Sequence, residues 1–252
     1  MPRMLITGGT RGIGAATALL GAGAGWDVCV TYASDAAAAD SLSDELSSVN
    51  SIGRHTIRTL TIRADVSVEA EAVGVFETLD AEWGGLDCLV NNAGIAPGYG
   101  PFESLTVADM DKTWAVNLTG AFVCAREAVK RMSTHLGGSG GSIVNVGSKA
   151  AAIGGPNEWI HYAASKGGID TLTLGLAKEF AARGVRVNCI RPGLIKGGFG
   201  PWDPANRVES MRAAIPMQRE GDPREIAEAI LWLASPAASY VTGAIMDVSG
   251  GR

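Results

Sequence analysis

Tyr162 and Lys166 stand four positions apart in the run Tyr162-Ala163-Ala164-Ser165-Lys166. On a helix that spacing puts both side chains on one face. An ammonium beside a phenol favours the phenolate, so the pKa falls from its usual value of about 10. A phenol tuned in this way is a usable acid or base near neutrality. Ser148 follows the strand-like run Ile143-Val144-Asn145-Val146 and precedes Tyr162 by fourteen positions, where its hydroxyl can face the same cleft. Asn117, in Val116-Asn117-Leu118, lies in a helical pattern although Asn is a poor helix former, which points to a role. Each feature also has a plainer reading: a surface Tyr–Lys pair, a capping serine, a solvent-facing Asn.

A second group of residues has the character of a phosphate-binding turn. Thr7-Gly8-Gly9-Thr10-Arg11-Gly12-Ile13-Gly14 follows the first apolar run and opens a helix. Glycines there allow a tight turn and close backbone approach to a pyrophosphate, and the helix start supplies free N–H groups and a positive dipole end. The spacing differs from the common GxGxxG fingerprint of dinucleotide folds. Asn91-Asn92-Ala93-Gly94 ends a later run, Leu86-Asp87-Cys88-Leu89-Val90, with Asn side chains that can tie strand ends and small residues that admit a flat ring.

Cofactor choice is read at the end of the second strand. An NAD-preferring fold usually carries a carboxylate there to bind the ribose hydroxyls. Here the residue is Tyr32, followed by Ala33 and Ser34. Asp35 comes three residues later and is better placed to open the next helix. Arg11 can pair with a 2′-phosphate through its planar donors. The expected cofactor is NADP(H), with NAD(H) as second choice.

These residues need a frame. Apolar runs at 3–7, 27–32, 58–64, 86–91, 142–147, 185–190 and 243–248 read as strands, with helical patterns between them. Val68, Ala72, Val75, Phe76, Leu79 and Trp83 repeat every three or four positions, and so do Ile226, Ile230 and Leu233. Asp222-Pro223-Arg224-Glu225 has the form of a capping box with Pro at the first helical position. Strand–helix alternation predicts an α/β fold, with a parallel sheet covered on both faces and wound both ways. Ligands bind such sheets beyond the C-terminal strand ends, where every motif above falls.

The whole chain narrows the classes. Its 252 residues fit one domain, with no linker or repeat dividing them. A formal charge of −5 offers no footprint for nucleic acid. No apolar run has the length of a membrane span, and the chain enters a strand almost at once, so a cytoplasmic protein is expected. Cys29, Cys88, Cys124 and Cys189 have no metal-type or redox-type spacing, and no metal is expected.

Taken together, the motifs resemble the short-chain dehydrogenase/reductase family over the whole chain. The resemblance rests on Thr7–Gly14, Asp65-Val66, Asn91–Gly94, Asn117, Ser148, Tyr162-x-x-x-Lys166 and Pro192-Gly193. It implies a single doubly wound Rossmann domain with a seven-stranded, mainly parallel sheet. It implies that Gly8, Arg11, Gly12, Ile13 and Gly14 hold cofactor phosphates and ribose, and that Tyr32, Ala33 and Ser34 lie by the ribose. By the same resemblance Asp65 and Val66 contact adenine, while Asn91, Ala93, Gly94, Pro192, Gly193 and Ile195 line the groove. Ser148 would bind the substrate carbonyl and Tyr162 would donate the proton. Lys166 would hold the nicotinamide ribose and depress the Tyr162 pKa, and Asn117 would hold a relay water.

Two departures from the family pattern stand out. Gly197 occupies the position where a Thr often binds the carboxamide, and the Ser–Tyr interval is one residue longer than the commonest spacing. The resemblance further implies a carbonyl reductase or alcohol dehydrogenase acting on a sugar, an acyl thioester or another ketone. A non-catalytic NADP(H) sensor on the same fold is the alternative, against which an intact proton-relay set argues. A substrate lid is expected over 194–209, with Ile95, Tyr99, Trp159, Phe199 and Trp202 shaping the mouth. The resemblance implies a homotetramer, with a dimer as the alternative, through helical segments 107–136 and 159–183, with Ala121, Ala125, Leu172, Leu176 and Phe180 buried between subunits and strand 243–248 as a second interface.

Overall fold

The structure, a computed structural model, describes residues 1–52, 56–198 and 207–252. The strands are β1 (Arg3–Ile6), β2 (Asp27–Tyr32), β3 (Thr59–Arg63), β4 (Cys88–Asn91), β5 (Gly141–Val146), β6 (Val185–Pro192) and β7 (Ile245–Val248). The helices are α1 (Gly12–Gly23), α2 (Ala36–Ile52), α3 (Glu69–Trp83), α4 (Val107–Trp114), α5 (Ala121–Met132), α6 (Ala150–Ile153), α7 (Ile160–Phe180), α8 (Arg207–Arg212) and α9 (Pro223–Ala234).

The strands form one sheet in the order β3-β2-β1-β4-β5-β6-β7. Every pairing is parallel, so the sheet is wholly rather than mainly parallel. Its winding reverses beside β1, and the cleft opens at that switch point.

Alternation along each strand builds two cores. Met4, Ile6, Val28, Val30, Val90, Val144 and Ile190 pack under α1, α2 and α9. Leu5, Cys29, Leu89, Ile143 and Val187 face the other way, under α3, α5 and α7. All four cysteines are buried. The predicted face of α3 holds, with Ala72, Val75, Phe76, Leu79 and Trp83 inside; Val68 is the exposed N-cap. The capping box at Asp222 is present with both of its hydrogen bonds.

Several boundaries move. β6 runs on to Pro192, two residues past the expected end. β7 starts at Ile245, because Gly243 turns at φ 76° while its N–H bonds Val187 O. The segment 107–136 is not one helix. After α4, residues Ala115–Gly120 form a π-turn, α5 ends at Met132, and Ser133 is extended. Ala121, Ala125, Leu172 and Phe180, expected between subunits, are instead buried in the chain's own cores. The large apolar side chains exposed along these segments include Val107, Trp114, Phe122, Leu136, Ile160 and Leu174. Among the described residues, no helix is long and apolar enough to cross a membrane.

Candidate active site

A cleft of about 720 Å³ runs across the C-terminal strand ends. At its β1 end, Arg11 is the extended N-cap of α1, and it lines the cleft with Gly8, Gly12 and Ile13. Gly14 does not face the cleft. A Cβ there would stand 2.6 Å from Gly8 O and 2.8 Å from Asn92 Nδ2, so this glycine lets α1 start hard against the turn. The open N-terminus of α1, without an acidic residue in its first turn, suits a pyrophosphate.

Asn92, rather than Asn91, borders the cleft and stitches the strand ends. Its side chain donates to Thr7 O at 2.9 Å and Gly8 O at 2.8 Å, and Thr7 Oγ1 accepts from the Asn92 and Ala93 N–H groups. Asn91 is turned inward. Its Nδ2 donates to Ala121 O at 3.1 Å and Asn145 Oδ1 at 3.0 Å, and Asn145 passes the chain on to Thr173. The expected groove role of Asn91 is therefore corrected to one of bracing β4 and β5 against α5 and α7. Strand alternation sends neighbouring Asn side chains opposite ways.

Tyr32, Ala33, Ser34, Asp65 and Val66 border the adenine-side end of the cleft. Asp35 Oδ1 accepts from Ala38 N at 3.0 Å, capping α2 as expected. Arg63, at the end of β3, was not singled out from the sequence. Its Nε donates to Ala33 O at 3.3 Å, which ties it to the chain just past the end of β2. Its register opposite Tyr32 follows from parallel pairing, which the sequence does not display.

At the other end, Tyr162 and Lys166 are both buried on α7. Tyr162 shares the cleft with Ser148, whose Oγ accepts from Ala150 N at the start of α6. Lys166 Nζ donates to Val146 O at 2.7 Å and lies 5.8 Å from the Tyr162 ring centre. The expected lowering of the Tyr162 pKa is overturned. Burial dominates and pushes it up to about 12, against the opposing pull of the Ser148 hydroxyl and the Arg207 charge. Burial likewise brings Lys166 down to about 8. Helical spacing gave the pairing but not the loss of solvent, which disfavours both charged forms.

Asn117 sits in the π-turn, a form that clusters at functional positions. Its Oδ1 accepts from Ile95 N, and its Nδ2 donates to Ile95 O and Ser165 Oγ. Both amide hydrogens are thus taken by protein, and the side chain clamps the cleft-lining Ile95.

The remaining wall is the substrate mouth. Trp159 packs with Ala96 and Tyr162, and Tyr99 meets its edge at 4.9 Å. Arg207 lies 4.6 Å over the Trp159 ring and pairs with Glu158 through two bonds of 3.0 and 3.1 Å. Nothing in the sequence spacing links Arg207 to residues 158–162. Ile95, Pro192, Gly193 and Ile195 line the cleft as expected. Gly197 lines it at φ 90°, a conformation that disfavours Thr and accounts for the departure there. The longer Ser–Tyr interval is taken up by Gly154, Gly155 and Asn157, all at positive φ after α6. Phe199 and Trp202 lie outside the described residues. Lys149 and Lys196 also line the cleft and are paired with Asp247 and Asp222.

Comparison with known proteins agrees with this geometry. The family model described as enoyl-(acyl carrier protein) reductase matches residues 8–252. An uncharacterized oxidoreductase of Escherichia coli is 46% identical, over 98% of each chain. The cis-4-hydroxycyclohexanecarboxylate dehydrogenase of Sinomonas cyclohexanicum is 38% identical, over 98% of this chain and 94% of its own. A blue fluorescent protein from a metagenomic library, solved in complex with NADPH, superposes at a TM-score of 0.89. It is 34% identical, over 99% of this chain and 97% of its own. With the Tyr-x-x-x-Lys pair, the switch-point cleft and the wholly parallel sheet all in place, the chain belongs to the short-chain dehydrogenase/reductase family, oxidoreductases of alcohol and carbonyl groups.

Proposed function

We propose that this oxidoreductase uses NADP(H) to interconvert a ketone and a secondary alcohol, with Tyr162 moving the proton. The observation that carries the reaction is the convergence of Ser148, Tyr162 and Lys166 on one cleft, with Tyr162 and Lys166 both buried. The cofactor, when bound, supplies the hydride chemistry. Ser148 and Tyr162 orient the carbonyl oxygen, and Tyr162 delivers its phenolic proton to that oxygen. Burial keeps the phenol in its proton-bearing form, and the positive charge of Lys166 steadies the phenolate left when the proton is given up. Lys166 and Gly94 border the place of the nicotinamide ribose, and Gly8, Arg11, Gly12 and Ile13 that of the phosphates.

The preference for NADP(H) rests on charge at the ribose end. Tyr32, Ala33 and Ser34 bring no carboxylate there, the cleft-lining Asp35 is engaged in capping α2, and Arg11 brings a cation, with Arg63 tied to the neighbouring Ala33 O. The NADPH complex of the blue fluorescent protein is in keeping with this choice. For the substrate, Ile95, Ile153, Trp159 and Leu194 suit a compact apolar body, a character shared with the ring named in the Sinomonas enzyme. The assembly is a homotetramer, built on the faces that expose Trp114, Phe122 and Leu174.

The test compares kcat/KM for NADPH and NADH in wild type, Arg11→Ala and Arg63→Ala, over a panel of cyclic ketones, acyl thioesters and sugars. Loss of one charge-assisted contact lowers NADPH use by ~1.5–3 kcal/mol, about ten- to a hundredfold, and leaves NADH use unchanged. A wild-type preference for NADH refutes the cofactor assignment.

A further inference from the structure

Asp170 stands four residues past Lys166 on α7, on the same helical face, and it is buried. An Asp inside a helix and out of water is unfavourable on both counts unless it is paired. Its partner is Arg191 at the end of β6. Nη2 of Arg191 donates to Oδ2 at 2.6 Å and Nε to Oδ1 at 3.2 Å, while Cys189 Sγ donates to Oδ1 at 3.6 Å. Arg191 Nη1 lies 3.8 Å from Asp247 on β7, and Asp247 pairs with Lys149, the neighbour of Ser148. Charges of alternating sign thus run from behind Lys166 round to the Ser148 turn, which Lys149 N also fastens to Pro192 O.

We propose that Asp170 is a positioning residue for proton transfer, its buried carboxylate, fixed by Arg191, holding Lys166 as the cation that Tyr162 needs. The groups around Lys166 support this assignment from each side. On α7 it meets the neutral Tyr162 and the anionic Asp170. From β5 comes the Val146 carbonyl, with Ser148 just beyond it. The π-turn and the β4 loop bring Asn117 and Gly94, neither of which carries a charge. From β6 comes Cys189, whose thiol burial pushes up to about 12 and so keeps neutral, with Arg191 behind it. With the Cys189 thiol neutral, Asp170 is, among the described residues, the negative charge that opposes the loss of the Lys166 proton.

The inference rests on Lys166 being the cation of the proposed proton-transfer site, and the experiment separates the two. Chemical denaturation of the cofactor-free protein is followed across pH in wild type, Asp170→Asn and Asp170→Glu, each with and without Lys166→Met. The alkaline limb of kcat is followed in parallel with NADPH and the best ketone. In Asp170→Asn, the Lys166-dependent rise of stability begins at lower pH than the wild-type onset near pH 8. The ratio of kcat at about pH 9 to that at about pH 7 falls roughly fivefold for one unit of displacement of the limb. Asp170→Glu restores both. Should Asp170→Asn not fold, the double variant Asp170→Asn/Arg191→Gln removes the pair together, and a smaller displacement in the same downward direction is expected, since the Arg191 charge leaves with it. A uniform fall in stability or kcat with both pH dependences unmoved overturns the proposal and leaves Asp170 a plain tie between α7 and β6. Absence of turnover in wild type with any carbonyl refutes the enzymatic reading, while the denaturation arm still decides the role of Asp170.

Discussion

At the scale of single residues, the pairing of Tyr162 and Lys166 was legible in the sequence and its electrostatics were not. Spacing on a helix reports which side chains share a face, but burial depends on what packs over that face. Here Trp159 and the β5–α6 turn close over it, and desolvation becomes the leading influence on both groups. The consequence for stability has a definite sign. Lys166 titrates near 8 in the folded chain, against 10.5 for an unperturbed lysine. Between those values the unfolded chain binds the proton that the folded chain has lost, so stability rises with pH across that window. Below about pH 8 the group is charged in both states and its burial opposes folding in full. Wild type should gain up to about 3 kcal/mol over Lys166→Met as pH climbs through the window. Denaturant titrations at several pH values measure it, and a difference that stays flat would contradict the assigned shift. Asn91 and Asn92 give the complementary lesson. The motif located the site, but only the strand's alternation, seen in three dimensions, says which Asn faces the cleft.

At the scale of elements, the strands and the α3 and α9 faces were readable because their apolar periods are strong. The π-turn at Ala115–Gly120 was not, since its single inserted residue leaves the apolar pattern of the flanking helices almost unchanged. Asn117, a poor helix former, was the visible trace of it. The glycine turn was legible as a phosphate cradle, yet the part played by Gly14 is one of packing. Gly14→Ala puts a methyl 2.6 Å from Gly8 O, a backbone atom that cannot swing away. The start of α1 must then shift away from the turn. The expected result is a stability loss of about 1–3 kcal/mol, as for other overpacked sites, together with weaker NADPH binding. Calorimetric titration with NADPH and thermal melting check both, and wild-type values for the two would show that the close approach is dispensable.

At the scale of the whole molecule, the fold class was legible because alternating strand and helix patterns admit few windings. The assembly surface was not: small apolar residues on α5 and α7 signal burial without saying against what. Ala121 and Leu172 serve the chain's own core, which leaves exposed side chains, among them Trp114, Phe122 and Leu174, as the apolar patches for a partner. Light scattering at micromolar concentration should give the mass of four chains of 25.9 kDa, and Phe122→Lys with Leu174→Lys should reduce it. A monomeric mass for wild type would contradict the tetramer. What the sheet achieves for the reaction is convergence: it brings the turn after β1, Ser148 after β5 and Tyr162 on α7 to one cleft. The central claim is that Tyr162 moves the proton there. The most direct measurement is turnover of Tyr162→Phe with NADPH and the best ketone, alongside its NADPH dissociation constant. The account predicts a fall in kcat of about 10²–10⁴-fold with NADPH binding nearly unchanged; turnover near the wild-type rate would contradict it.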